Sequence, residues 1–278
     1  MTDINIEKRE KSPFRGWGLL KIIIIIYCSL GIAFYYLQKK FLFHPVPLSA
    51  DYAYHFTRPF REVNIAINTN ENLNVVQFFP EDSVRKGVVL YFHGNRQNIN
   101  RYAKFADNFT RHGYEVWMPD YPGFGKTTGE LTEKKLYKLA SVIYTLAKTK
   151  YSKDQFVIYG KSLGTGIASQ LAAVKDCRLL ILETPYYSIP DLFSCYAPIY
   201  PMGLMSHFKI PTYQYLPDVN APITIFHGTA DEVILYRCAA KLKKVLKPTD
   251  EFITIKKGKH NNLHNFDIFH QKLDSLLK

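Results

Sequence analysis

VIYGKSLGTG occupies residues 157–166. An apolar run from Phe156 to Ile158 leads through Tyr159 and Gly160 to Lys161, Ser162, Leu163 and Gly164. Residues 160–164 fit the pattern G-x-S-x-G. In that pattern the serine sits on a tight strand-to-helix turn with strained backbone angles, so its hydroxyl stands clear of the main chain. The two glycines remove side chains that would collide with the neighbouring strand and helix. The surroundings suit the pattern: β-branched and aromatic residues precede it, and the small residues from Gly164 to Ser169 open a helix after it. A serine that merely caps a helix between two glycines needs no partners elsewhere. A nucleophilic serine needs a base, and the base needs an orienting acid.

The rest of the chain offers the strands such a turn requires. Strand-like runs fall at 62–67, 73–79, 87–92, 114–119, 155–159, 178–182, 222–226 and 251–255. From 87 onward, helical stretches separate them at about 97–112, 130–150, 163–175, 235–246 and 264–277. VVLYF (88–92) and LLILE (179–183) are continuously apolar or nearly so, as strands covered on both faces are. This alternation predicts an α/β fold, a doubly wound and mostly parallel eight-stranded sheet that starts with an antiparallel hairpin. Residues 184–219 break the alternation with Tyr- and Pro-rich sequence. An insertion there sits over the C-terminal edge of the sheet, where α/β proteins bind ligands.

With a nucleophile on such a turn, the expected chain order is serine, then acid, then histidine. IFHGTADEVI (225–234) ends a strand and presents Asp231 on the following loop. KKGKHNNLH (256–264) leaves another strand and presents His260 in a glycine-containing loop. Glu183, at the end of LLILE, is the rival acid, and Asp218 and Glu232 are weaker ones. Asp231 is preferred because its strand ends in His-Gly, with room to turn. His264 competes as base, and the four-residue spacing of His260 and His264 also suits a metal pair. No Glu lies between them and no third ligand is indicated, so no metal is expected. His227 reads as a loop or packing residue. A developing oxyanion needs fixed donors. The backbone N–H of Leu163 is one candidate, and LYFHGNRQN (90–98) offers that of Asn95, with Arg96 as runner-up. Gly125-Lys126-Thr127 resembles the end of a phosphate-binding loop, but Asp120 stands where its first glycine belongs. DYPGFGKTTG therefore reads as a strand end and a glycine turn, and no cofactor is expected.

The net charge is +12, with lysines spread along the whole chain. Zinc-finger spacing, a basic heptad region and an aromatic RNA-binding signature are all missing, so nucleic acid is not an expected partner. The basic balance suits a solvated face with some contact with lipid headgroups. Cys28, Cys177, Cys195 and Cys238 show no CxxC pattern, and buried thiols are expected rather than a disulfide or zinc site. Near the N-terminus, IIIIIYCSLGIAFYYL (22–37) carries no charge. Together with Trp17 to Leu20 it gives about 21 residues, or about 31 Å of helix, enough to cross a bilayer core. Lys21 lies near one end, where its stem reaches the headgroups. A cleaved signal peptide lacks its small-residue site here, and a core helix rarely carries five consecutive isoleucines. The predicted organisation is a basic tail at 1–16, a membrane anchor at 17–37, a linker at 38–60 and a catalytic domain at 61–278. Lys8, Arg9, Lys11 and Arg15 slightly outweigh Lys39 and Lys40, with Arg58 and Arg61 further on, favouring an N-terminus inside and a domain outside the cytoplasm.

YFHGN, DYPGFG, G-x-S-x-G, HGTADEV and GKHNNL occur in order, after a QKKFLFHPVP segment. This series resembles the α/β-hydrolase superfamily from about residue 60 to the end, and in particular membrane-anchored serine hydrolases of the α/β-hydrolase domain-containing type. The resemblance implies Ser162 as nucleophile, Asp231 as acid and His260 as base, as the order argument does. It also implies a small-molecule or acylated substrate. Such proteins divide among esterases, lipases, thioesterases that remove protein-bound acyl groups, and peptidases. Some proteins of this fold are non-catalytic binding proteins that have lost the triad. Tyr186, Tyr187, Phe193, Tyr196, Tyr200, Met202 and Met205 in the insertion are candidates to line an apolar acyl pocket, or to serve only as core and lid packing.

Overall fold

A computed structural model describes residues 14–81 and 85–278. The chain divides into two units, Met1–Phe41 and Leu42–Lys278. Helix α1, Phe14–Leu42, belongs to the first except for its last residue. Its stretch Trp17–Leu42 is long and apolar enough to cross a membrane. The helix continues five residues past the predicted end at 37, because Gln38, Lys39 and Lys40 are good helix formers and nothing there breaks the turn. The side chains of the predicted basic tail, 1–16, lie outside the described residues.

The second unit starts earlier than predicted. Leu42, Phe43 and Tyr54, expected in a linker, are buried in its core. His44–Pro45 pairs in parallel with Arg96–Gln97, and the Phe43 ring meets Phe208 at 4.8 Å. Of FLFHPVP, Leu42 and Phe43 pack because leaving them in water is costly, while Phe41 and Val46 stay exposed.

The main sheet is built from eight strands. β1 (Phe60–Asn68) and β2 (Glu71–Phe78) form the antiparallel hairpin. β3 (Gly87–Phe92) and β4 (Tyr114–Pro119) precede helix α2 (Glu133–Lys148). β5 (Phe156–Lys161) leads straight into α3 (Leu163–Val174). β6 (Leu179–Glu183), β7 (Ile223–Gly228) and β8 (Glu251–Ile255) follow, and α4 (Asp267–Leu276) closes the chain. The strand order is β8-β7-β6-β5-β3-β4-β2-β1. β2 runs antiparallel to β1 and β4, and the other pairs are parallel. Every predicted strand run is a strand, with ends within two residues.

Alternation along the strands sends side chains to opposite faces. Val88, Leu90, Phe156, Ile158, Leu180 and Leu182 face α2 and α3. Val89, Tyr91, Val157, Tyr159 and Ile181 face α4 and the segment 99–110. That segment, predicted as one helix, is three short turns: Ile99–Tyr102, Ala103–Ala106 and Asp107–Thr110.

The insertion 184–219 carries short helices Ile189–Ser194, Met202–Met205 and Thr212–Tyr215. Here the sequence expectation of unpaired thiols fails: Cys195 and Cys238 form a disulfide. They are 43 residues apart in sequence, but the insertion folds back onto the short helix Tyr236–Ala239 that carries Cys238. Cys28 and Cys177 are free, and burial pushes the Cys177 thiol up to about 12.

Candidate active site

Ser162 joins β5 to α3 with φ 51° and ψ −118°, a left-handed conformation that costs a non-glycine residue energy. Its N–H donates to the Glu183 carbonyl at 2.9 Å, and its carbonyl accepts the Thr165 N–H at 2.9 Å. The flanking glycines follow from space. A Cβ on Gly160 would lie 2.6 Å from the Thr165 Cα, and one on Gly164 would collide with the Phe92 carbonyl. The serine's hydroxyl is thus lifted from the C-terminal edge of the sheet, between the ends of β3 and β6.

Three loops converge on it. The Ser162 Oγ lies 2.9 Å from the His260 Nε2. The His260 Nδ1 lies 2.8 Å from the Asp231 Oδ2. The other Asp231 oxygen accepts the backbone N–H groups of Val233 and Ile234, each at 2.8 Å. With the carboxylate able only to accept, the histidine carries its proton on Nδ1 and offers a bare Nε2 to the serine hydroxyl. The loops of Asp231 and His260 are tied through their backbones, Ala230 N–H to the Gly258 carbonyl at 2.9 Å and Thr229 N–H to the Ile255 carbonyl at 3.0 Å. Burial by itself would raise the Asp231 carboxyl. The hydrogen bond and charge of His260, with the Ile234 N–H, outweigh it and hold the carboxyl below its usual range.

The rivals lie elsewhere. The Glu183 carboxylate is engaged by Lys161 and the Tyr159 hydroxyl. His264 packs its ring edge-on to Phe105 at 5.1 Å. Both ring nitrogens of His260 are engaged by Ser162 and Asp231, so no metal pair with His264 is available to it. His227 donates from Nε2 to the Ile234 carbonyl at 2.9 Å, and burial lowers its basicity despite the nearby Asp231.

Leu163 opens α3, where backbone N–H groups have no partner within the helix. Gly94 lies against Ser162: a Cβ placed there would be 3.6 Å from the Ser162 Cβ. Its neighbour Asn95 is fixed by two bonds, its side chain to the Leu42 carbonyl at 2.7 Å and its own carbonyl to the His44 N–H at 2.9 Å. Arg96 lies in the short bridge strand with its side chain exposed. The sequence reading missed what holds this loop. His93 is buried, 3.0 Å from Asp120 and stacked on Tyr102, while the Tyr121 hydroxyl donates to the His93 carbonyl at 2.7 Å. The DYPGFG turn thus supports the HGN turn. Lys126 is spent on Glu62 and Thr127 on the Asn74 N–H, so neither is offered to a phosphate.

Beside His260, a hollow of about 250 Å³ is lined also by Glu232, Val233, Lys259, Asn261 and Asn262. Of the candidate pocket residues, Tyr186 and Met202 are buried, and the Tyr186 hydroxyl donates to the Leu163 carbonyl at 3.1 Å. Tyr196 is exposed on the outside.

The family described as serine aminopeptidase, S33, matches residues 83–209. The alpha/beta hydrolase domain-containing protein aho-3 of Caenorhabditis elegans is 26% identical over 195 residues, 68% of this chain and 57% of its own length. The alpha/beta hydrolase domain-containing protein 17C of Xenopus tropicalis is 25% identical over 197 residues, covering 68% and 61%. The match therefore spans about three fifths of these relatives' length. Among solved structures, the Pyrococcus furiosus esterase Pf2001 superposes with a TM-score of 0.64 at 17% identity, over 85% of this chain and 97% of that one. Est1E from Butyrivibrio proteoclasticus with ferulic acid bound gives 0.64 at 17% identity, over 77% and 97%.

Proposed function

From the premise that the chain belongs to the α/β-hydrolase superfamily, we propose that it is a serine hydrolase cleaving an ester or thioester of an acyl or lipid-like substrate. The observation that carries this reading is the run of two hydrogen bonds, Ser162 to His260 at 2.9 Å and His260 to Asp231 at 2.8 Å. His260 takes the Ser162 proton on Nε2 as Oγ attacks the acyl carbonyl carbon. Asp231 keeps the ring oriented and offsets the imidazolium charge. The N–H groups of Leu163 and Asn95 receive the oxyanion; one such donor is worth about 10²–10³ in rate. The carbonyl reforms, the carbon–leaving-group bond breaks, and His260 returns its proton to the departing oxygen or sulfur. Water then attacks the acyl-serine, giving its proton to His260, and the acid product leaves with Ser162 reprotonated.

Peptide or amide cleavage by the same residues is the second reading, favoured by the serine aminopeptidase family match. A binding protein of this fold without catalysis is the third. A fluorophosphonate probe separates enzyme from binder: labelling of the wild type that disappears in Ser162→Ala supports the enzyme, and a folded wild type left unlabelled refutes it. Rates on matched acyl esters, acyl thioesters and aminoacyl amides choose the leaving group.

The helix Trp17–Leu42 serves in this reading as a single-pass anchor, with the catalytic domain on the non-cytoplasmic side. Two features support that side: the basic excess before the helix, and the Cys195–Cys238 disulfide, a bond that persists in oxidising compartments.

A further inference from the structure

Two charged side chains are buried directly behind the nucleophile and take no part in the mechanism above. Lys161, the residue before Ser162, is 3% exposed, and Glu183, at the end of the adjacent strand, is 4% exposed. They form an ion pair, and the Tyr159 hydroxyl donates to the other Glu183 oxygen. The Lys161 ammonium also sits 5.4 Å from the centre of the Phe105 ring. The register places Lys161 opposite Glu183 in the parallel β5–β6 pair. Glu183 therefore grips the turn twice: its carboxylate holds Lys161 and Tyr159, and its carbonyl accepts the Ser162 N–H at 2.9 Å. The next residue, Thr184, is itself left-handed at φ 52° and donates its N–H to the Phe226 carbonyl at 2.8 Å, which fixes Glu183 from β7.

We infer that Glu183 and Lys161 are positioning residues that hold the strained Ser162 turn, so that their pairing sets the rate of attack by Ser162 rather than the binding of substrate. Three physical points lead there. A left-handed non-glycine residue persists only where its surroundings over-determine it. A buried ion pair is a poor stabilising device, since apolar residues of similar volume usually do as well or better. This pair nevertheless ties the residue before the nucleophile to the neighbouring strand β6, whose Glu183 carbonyl also holds the Ser162 N–H. A misplacement of the attacking oxygen by about 1 Å costs about 10² in rate. The inference rests on the serine hydrolase reading.

The test uses the full-length chain in detergent and reads three quantities: the rate of fluorophosphonate labelling, kcat and KM on a chromogenic ester, and the melting temperature. Lys161→Met is expected to lower the labelling rate and kcat at least tenfold, with KM within twofold of the wild type. The double variant Lys161→Met/Glu183→Leu removes both charges. It is expected to recover the melting temperature while labelling stays at least tenfold slow. A double variant that recovers the rate together with the melting temperature overturns the inference, because the pair is then only structural. Glu183→Gln keeps the shape and removes the charge, and a labelling rate within twofold of the wild type overturns the inference as well. A wild type that does not label refutes the serine hydrolase reading and the positioning role with it. A labelled wild type with an equally fast double variant refutes the positioning role alone.

Discussion

Asp231→Asn isolates the orienting role of the proposed acid. The wild-type carboxylate accepts three hydrogen bonds, from the Val233 and Ile234 N–H groups on Oδ1 and from His260 on Oδ2. An asparagine has one oxygen and one NH₂, so one side must change. If the NH₂ faces the two backbone donors, both lose their acceptor inside the protein, at about 1–3 kcal/mol each. If it faces His260, the backbone bonds survive and the ring answers by accepting on Nδ1. The second arrangement costs less, and it moves the imidazole proton to Nε2, against the Ser162 hydroxyl. The base is then in the wrong tautomer and cannot take the serine proton. The expected loss in kcat is about 10⁴-fold, or about 5.5 kcal/mol of barrier. Because the backbone bonds remain, the melting temperature should move by no more than a few degrees. Fluorophosphonate labelling kinetics and a thermal melt on the same sample measure both. A rate within tenfold of the wild type refutes the assignment of Asp231. A rate that survives in Asp231→Asn and vanishes in Glu183→Ala gives the role to Glu183.

Gly164→Ala drives a methyl group into the Phe92 carbonyl, so the variant should melt well below the wild type and label at a trace of its rate. A variant that melts and labels normally would show that the contact between β3 and α3 yields freely. Reducing the Cys195–Cys238 bond releases a closure of 43 residues, worth about 4 kcal/mol in a chain-entropy account, and a melt with and without reductant reads it. On the non-cytoplasmic side, native protein denatured without reductant should take maleimide on Cys28 and Cys177 alone; modification of all four cysteines argues for a reducing compartment. The Asp231 carboxyl, held below its usual range, contributes stability that is full above its unfolded pKa of about 3.9 and is lost as the pH falls through the folded value. The stability gap between wild type and Asp231→Asn should therefore stay level from pH 7 to 5 and narrow below about pH 4, and a gap that widens there refutes the linkage.

The strands were legible because a sheet covered on both faces leaves apolar runs such as VVLYF, and the serine turn because only glycine fits beside it. The chain order of serine, aspartate and histidine was readable because each follows its own strand onto the same edge. Three features were not readable in this way. Cys195 and Cys238 meet only after the insertion folds back, and sequence separation says nothing about that distance. Lys161 stood in a position that tolerates any residue. Its partner was visible only as an acid closing the apolar strand LLILE, which raised Glu183 as a rival acid instead of a counter-ion. The support of the HGN turn by Asp120 was hidden for a similar reason: the bond from His93 crosses from the end of β3 to the end of β4, strands that pair in parallel.

These hidden contacts share a place. The Asp231 loop is not held by its own strand alone. The Tyr196 hydroxyl, from the insertion, shares its one proton between the Glu232 carbonyl at 2.7 Å and the Val233 carbonyl at 2.9 Å, and the disulfide fastens the same insertion to the helix that follows the loop. On the other side of the serine, the Tyr186 hydroxyl reaches the Leu163 carbonyl in the first turn of α3. One insertion thus touches both the loop of the proposed acid and the helix that carries a proposed oxyanion donor. In α/β proteins such an insertion varies freely, since it adds nothing to the sheet. Here a change that moves Tyr196 is expected to shift the carbonyls of Glu232 and Val233, the two residues after Asp231, and the bond to His260 has only a few tenths of an ångström to give. The insertion and the loop of the proposed acid are therefore mechanically linked, and a residue of the insertion acts on the Asp231 loop through Tyr196 and the disulfide.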